Sequence, residues 1–204
     1  MIDSEIRENL CEYLDNLHDK IRIIDELVIG KARADIITVT DILIGYEIKG
    51  DTDSYARLPA QIKEYDRFFQ QNWLVVGASH RKSAAAHVPA HWGIICISGS
   101  ESDFYVEILR DAADSPKFSF KIQLRLLWRN ELAHILKANK LLKCSGKNKT
   151  YICRYLSETV PEDTLRSQIC AELFERDWTR YPRKKLYRKP SLSFHYHQRQ
   201  HGRG

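Results

Sequence analysis

No apolar run in these 204 residues approaches the roughly 18 that a membrane-spanning helix needs. The longest are short pieces such as Leu74-Val75-Val76 and Ile94-Ile95-Cys96-Ile97. The first residues, Met1-Ile2-Asp3-Ser4-Glu5, lack the basic-then-apolar profile of a secretory signal. Cysteine is sparse: Cys11, Cys96, Cys144, Cys153 and Cys170 are odd in number and scattered. No two of them have the spacing of a zinc knuckle or a redox pair, so they read as reduced, packing thiols. Nine Gly and six Pro exclude collagen-like and low-complexity classes, and no internal repeat is visible. These absences leave a soluble, cytoplasmic protein with no membrane partner as the expectation. Hydrophobic residues at 43% and charged residues at 29% supply a buried core. At roughly 150 residues per domain, the length suggests one compact core with an appendage.

Charge is segregated along the chain. The net of +5 conceals an acidic first part, residues 1–116 at −8, and a basic block, residues 117–154 at +9. A short acidic stretch, 155–177 at −4, then precedes a tail, 178–204, that has eight cations and no anion. Solvated surface does not predict such segregation, whereas a polyanionic partner does. Lys117, Lys121, Arg125 and Arg129 recur every four residues, which predicts a cationic stripe on one helix spanning 117–141. The tail interleaves its cations with Tyr181, Tyr187, Phe194 and Tyr196, which suits stacking on bases; a flexible, solubilising extension is the competing account.

Periodicity places the remaining elements. Ile6, Leu10, Leu14 and Leu17 predict an amphipathic helix from Ser4 to about Lys20. Three strands follow over Arg22–Ile29, Ala32–Thr40 and Ile42–Lys49, split by Gly30-Lys31 and Asp41. Residues 55–71 return to helical period, and Asn72–Gly77 is again a strand. Strand, helix and strand in that order imply a parallel crossover. Two more strands, His91–Ser98 and Phe104–Leu109, precede helices over 117–141 and 161–178, with a helical or extended piece at Tyr151–Ser157.

The chemistry concentrates on two of the strands. Glu47 and Lys49 share one strand face while Ile48 takes the other, and Asp35 lies within the preceding strand. Charges in an apolar strand are costly to bury without partners. Two converging carboxylates repel unless a cation neutralises them, which a hard divalent ion does through oxygen ligands. Arg57, Gln61 and Tyr65 recur every four residues on the next helix and supply donors for phosphate and water. The alternative is a salt bridge at a strand end.

Asp35, the run Glu47-Ile48-Lys49 and the helix Gln61-Ile62-Lys63-Glu64-Tyr65 together resemble the PD-(D/E)XK nuclease signature. The Gln-x-x-x-Tyr element is similar to that of the RecB-like exonuclease branch. Arg33-Ala34-Asp35-Ile36 through Gly45-Tyr46-Glu47-Ile48-Lys49, then Asp51-x-Asp53 and Arg57-Leu58-x-x-Gln61, is closer still to small bacterial and phage members of that superfamily. The strong likeness covers residues 20–77. A weaker one reaches Leu127-Trp128-Arg129-Asn130-Glu131-Leu132. The resemblance implies Mg²⁺, with Mn²⁺ as a substitute, held by Asp35, Glu47, the Ile48 carbonyl and Glu26. It also implies Lys49 positioning the attacking water, and Gln61 and Tyr65 orienting nucleophile or substrate. Ala34 stands where the family signature has proline, a position without a catalytic role.

The reading is an α/β restriction-endonuclease-like core over residues 1–115, a basic, mainly helical region over 116–180 and a basic tail over 181–204. Its function would be Mg²⁺-dependent phosphodiester hydrolysis, in DNA rather than RNA on the resemblance alone, with a homodimer as one option. Arg57, Lys121, Arg125 and Arg129 are the expected substrate contacts. The alternative is a catalytically silent nucleic-acid-binding or interaction protein that keeps the fold. Asp51 and Asp53 either rim the site or cap a loop. His80, His87 and His91 flank a loop, and His195, His197 and His201 lie in the tail.

Overall fold

The computed structural model describes residues 1–100 and 103–178, together with the backbone of 195–199. Helix α1 (Asp3–Leu17) opens the chain, with Asp3 and Glu5 at its positive end. Strands β1 (Arg22–Ile29), β2 (Ala32–Val39) and β3 (Leu43–Lys49) form an antiparallel meander with the breaks that Gly30-Lys31 and Asp41 predict. Helix α2 (Leu58–Phe68) begins where Pro59 fits the first turn. It leads to β4 (Gln71–Val76), which lies parallel to β3 as the crossover rule requires. Two single 3₁₀ turns join β4 to the parallel β5 (Gly93–Gly99), and β6 (Asp103–Arg110) returns antiparallel.

Strands β1 to β6 lie side by side in chain order, a mixed sheet flanked by helices. In the tail, β7 (His195–Arg199) pairs parallel to β6 through its backbone. The tail residues Tyr181, Tyr187 and Phe194 and the ring of Tyr196 lie outside the described residues. No described helix is long and apolar enough to cross a membrane.

Each sheet face has its own cover. Ile6, Leu10 and Leu14 of α1 pack on Ile36, Tyr46, Ile48, Val75 and Ile95. On the other face α2 and the C-terminal helices pack on Ile37, Val39, Leu74, Val76 and Ile94. That second cluster runs unbroken from Ile24 to Trp178, so the C-terminal region completes the core of the sheet.

The expected single helix over 117–141 is not formed. The chain makes α3 (Phe120–Gln123), one 3₁₀ turn over Leu124–Leu126, and then α4 (Arg129–Ala138). Leu127 and Trp128 take extended backbone, with ψ of 150° and 167°, and this separates the first short helix from the next. Glu131 restarts the helix by accepting from the Trp128 N–H at 2.6 Å. The cationic stripe expected along that helix is therefore broken. Helices α5 (Lys149–Thr159) and α6 (Glu162–Glu175) follow, the former resolving Tyr151–Ser157 as helical. Arg176 lies between the rings of Trp128 and Trp178 and donates to Glu131 and to the Leu126 carbonyl.

One irregularity positions the site. Ile24, Leu27 and Ile29 of β1 all face the α2 side, as do Ala34, Ile37 and Val39 of β2. Strict alternation forbids both sets, so the two strands slip phase opposite one another. Glu26 takes the slip with φ of 50°, left-handed backbone for a residue with a side chain. Asp35 lies across from it, between the register pairs Asp25↔Ile36 and Leu27↔Ala34.

Candidate active site

Pairing of β2 with β3 ends at Ile36↔Tyr46, and beyond it the strands part. The Ile48 N–H, left without a ladder partner, donates instead to Asp35 Oδ2 at 2.9 Å. The N–H and C=O of one extended residue point the same way, so the Ile48 carbonyl also faces this gap. The Lys49 carbonyl faces the other side, where it accepts from the Gly77 N–H at 3.1 Å.

Alternation turns Tyr46 and Ile48 into the α1 layer and Glu47 and Lys49 toward α2. Glu47, 1% exposed, is held by three donors. Lys49 Nζ donates to Oε1 at 2.5 Å, Gln61 Nε2 to Oε1 at 2.6 Å and Tyr65 OH to Oε2 at 2.8 Å. Tyr65 is buried, and its oxygen accepts from the Asp35 N–H at 3.1 Å. Burial and then the charges of Glu47 and Asp35 push its phenol well above the ordinary range, so it remains a donor and not a base. The short contact to Glu47 fixes the Gln61 amide orientation and leaves its Oε1 buried without a partner. Gly45 makes room for this packing: a Cβ there would come within 2.4 Å of the Phe69 ring and 2.9 Å of the Tyr65 ring.

The Asp35 carboxyl is pushed up to about 7, first by burial and then by the Glu47 charge, against the opposing Ile48 amide and Arg7. Such a carboxylate gains from a cation. Asp35, Glu47, the Ile48 carbonyl and the unpartnered Gln61 Oε1 make an oxygen-rich set. It fits a hard divalent ion that keeps several waters. Among the described residues no group of three or more His, Cys, Asp or Glu is arranged to hold a metal. The protein's share of the ligands would therefore be two carboxylates and one carbonyl.

The cleft over these groups measures about 1110 Å³ and is rimmed by Lys31, Arg57 and Lys63. None of these three cations has an ion pair among the described residues. Glu26 also lines the cleft, but its carboxylate pairs with Arg33 at 3.3 Å. Glu26, expected as a metal ligand, thus stands at the rim with a cation of its own. Asp53 caps the Gly50 N–H at 2.8 Å and Asp51 the Ser79 N–H at 2.8 Å, which is the loop-capping role.

The basic residues of the C-terminal region stand elsewhere. Arg129 donates to the Lys147 carbonyl and lines a separate groove of about 630 Å³ with Lys137, Lys140 and Lys143. Lys121 lies beside Glu158 and Glu162 in another groove, and the Arg125 carbonyl accepts from Lys149. None of Lys121, Arg125 and Arg129 lines the cleft over Asp35. Among the histidines, Tyr55 is stacked on His87 and edge-on to His80. His91 Nε2 lies 2.9 Å from the buried Asp66, which also accepts from the Trp92 indole.

Sequence reasoning missed Arg7, Asp3 and Asp25. Arg7 Nη1 donates to Asp25 Oδ1 at 2.6 Å and to the Asp35 carbonyl at 2.9 Å, while Nε and Nη2 reach Asp3 Oδ1 at 3.3 and 3.1 Å. The signal was a lone cation in an otherwise acidic α1, paired with an aspartate inside the apolar run of β1.

A model of the family described as "Bacteriophage P4 protein cII" matches residues 2–186. The protein called "Protein cII" of Enterobacteria phage P4 is 24% identical over 138 residues, covering 66% of this chain and 52% of the relative. The chain thus spans about half the length of that curated relative. No solved structure matches significantly. Neither name mentions a nuclease or a metal.

Proposed function

The chain belongs to the bacteriophage P4 protein cII family, and on the geometry of its cleft we propose that it is a Mg²⁺-dependent nuclease of PD-(D/E)XK type that hydrolyses phosphodiester bonds in DNA. One observation carries the reading. Asp35 and Glu47 crowd together where two strands part, with Lys49, Gln61 and Tyr65 converging on the same carboxylate. A salt bridge at a strand end needs Glu47 and Lys49 alone. It explains neither the second carboxylate nor the unpartnered Gln61 oxygen.

The roles follow from the contacts. Asp35, Glu47 and the Ile48 carbonyl would hold the ion, whose positive charge would stabilise the phosphoryl-transfer transition state. Lys49 reaches the same region from the Glu47 side and has only protons to offer, so it steadies a hydroxide or a phosphate oxygen. Gln61 Oε1 can accept a hydrogen bond from the attacking water and so fix its direction. Tyr65 bridges the two acid strands, donating to Glu47 and accepting from the Asp35 N–H. Lys31, Arg57 and Lys63 are cations at the rim free to meet phosphates. DNA rather than RNA rests on the family resemblance.

A second reading has its own support. The three donors on Glu47 satisfy it without an ion, as in a silent, nucleic-acid-binding descendant. Incubation of the pure protein with linear, circular and single-stranded DNA in Mg²⁺, Mn²⁺ or EDTA separates the two. The nuclease cleaves with metal only, and Asp35→Asn abolishes cleavage. Binding of DNA without cleavage under every condition supports the silent reading.

A further inference from the structure

A cation already stands among the carboxylates on one side of the site. The Arg7 side chain is 13% exposed and has Asp3, Asp25 and Asp35 around it, drawn from α1, β1 and β2. Nη2 lies 3.6 Å from Asp35 Oδ1, and every other donor of the guanidinium is taken up by Asp3, Asp25 and the Asp35 carbonyl. Four hydrogen bonds thus tie Arg7 to the protein's own oxygens. Two-ion nucleases place their ions roughly 3.5–4 Å apart, with one carboxylate between them and further oxygen ligands on each flank. Here Asp35 is the central carboxylate. Glu47 and the Ile48 carbonyl flank it on one side, and Asp3 and Asp25 on the other. The remaining acids of the cleft are engaged: Glu26 with Arg33, Glu64 with Arg67 and Asp53 with the Gly50 amide.

Resting on the nuclease reading, we infer that Arg7 is a permanent replacement for a second metal ion, so that the site takes a single divalent ion on the Glu47 side of Asp35. Arg7 is then a positioning residue. It hydrogen-bonds the Asp35 carbonyl and sets its charge 3.6 Å from the Asp35 carboxylate, and it occupies the oxygen ligands a second ion would require. A guanidinium meets three carboxylates with a fork of fixed geometry and only a weak hydration shell to shed.

The count of bound ions tests this without any cleavage assay. Metal-free protein is titrated with Mn²⁺ by calorimetry and by electron paramagnetic resonance, for the parent, Arg7→Lys and Arg7→Met. The expected stoichiometry is one ion in the parent and in Arg7→Lys. Arg7→Met takes two, and its spectrum acquires the exchange-coupled signature of neighbouring Mn²⁺ ions. Arg7→Gln, neutral and leaving Asp3, Asp25 and Asp35 all in place, should likewise take two ions and serves if Arg7→Met does not fold. Two ions in the parent overturn the inference and leave the nuclease reading standing. One uncoupled ion in folded Arg7→Met, or in folded Arg7→Gln, overturns it as well. No ion bound to the parent removes the reading beneath it along with the inference.

Discussion

Asp35→Asn should stabilise the metal-free protein while destroying the site. The Asp35 carboxyl is raised to about 7, from the usual aspartate value near ~3.9, and each pH unit between the two values is worth ~1.4 kcal/mol. Ionising it in the folded state therefore costs at most about 4 kcal/mol. With 16% of the side chain exposed, water screens part of that. The variant also gives up one of the three carboxylates around Arg7, though Asp3, Asp25 and the residue 35 carbonyl still hold the guanidinium. The Asn Oδ1 can still accept from the Ile48 N–H. A net gain of roughly 1–2 kcal/mol remains, which for a chain of this size raises Tm by about 2–8 °C. The sign fixes the pH dependence. A carboxyl raised on folding holds its proton longer in the folded state, so the parent loses stability as pH rises from about 4 to about 7 and no further above that. The advantage of the variant grows over the same window and then levels off. Thermal melts in EDTA at pH 4.5, 6 and 8 measure it. With excess Mg²⁺ the order should reverse, because only the parent gains binding energy. An equal Tm difference at pH 4.5 and pH 8, or a variant less stable at pH 8 in EDTA, would refute the crowding argument.

Lys49→Ala should retain Mn²⁺ affinity yet lose cleavage, since lysine carries no acceptor for a cation; calorimetry beside a cleavage assay decides, and normal turnover with weakened metal binding contradicts the role. Tyr65→Phe leaves Glu47 Oε2 and the Asp35 N–H without their buried partner, so stability should fall by about 1–3 kcal/mol in chemical denaturation. Glu131→Ala strands the buried Arg176 guanidinium and should cost about 3–5 kcal/mol. Arg176→Met paired with Glu131→Leu should recover much of that loss, as measured by urea unfolding. Gly45→Ala forces a Cβ into the Phe69 and Tyr65 rings and should cost about 1–3 kcal/mol, with a matching loss of metal affinity as Tyr65 shifts off Glu47.

The elements that build the site were legible because two simple periods govern them. Alternation alone puts Glu47 and Lys49 on the face opposite Ile48, and four-residue spacing brings Gln61 and Tyr65 down on the same carboxylate. The parallel β3–α2–β4 crossover follows from element order. What escaped was non-periodic. The phase slip at Glu26 belongs to two strands at once, and only their pairing reveals that Glu26 turns to Arg33. Arg7 reads in sequence as one more charge on a solvated helix, because its partners are 18 and 28 positions away. The basic stripe failed for a related reason. Four-residue spacing of Lys117, Lys121, Arg125 and Arg129 presumes a helix, and the extended backbone at Leu127 and Trp128 interrupts it.

The Ile48 amide differs from its neighbours on β3, because its hydrogen bond ends on a side chain while theirs are held by sheet pairing. The ladder stops at Tyr46, and the amide proton of residue 48 rests on Asp35 Oδ2, an oxygen of the atom pair most affected by any change of charge in the cleft. That makes one backbone proton a built-in gauge of the carboxylate. Its chemical shift and its exchange with solvent should follow whatever the Asp35 oxygens bind, whether ion, proton or neither, while the amides of Val75 and Val76 inside the parallel ladder stay still. A single nitrogen-labelled isoleucine thus offers a view of the site's occupancy in solution, residue by residue, with no substrate present and no substitution made.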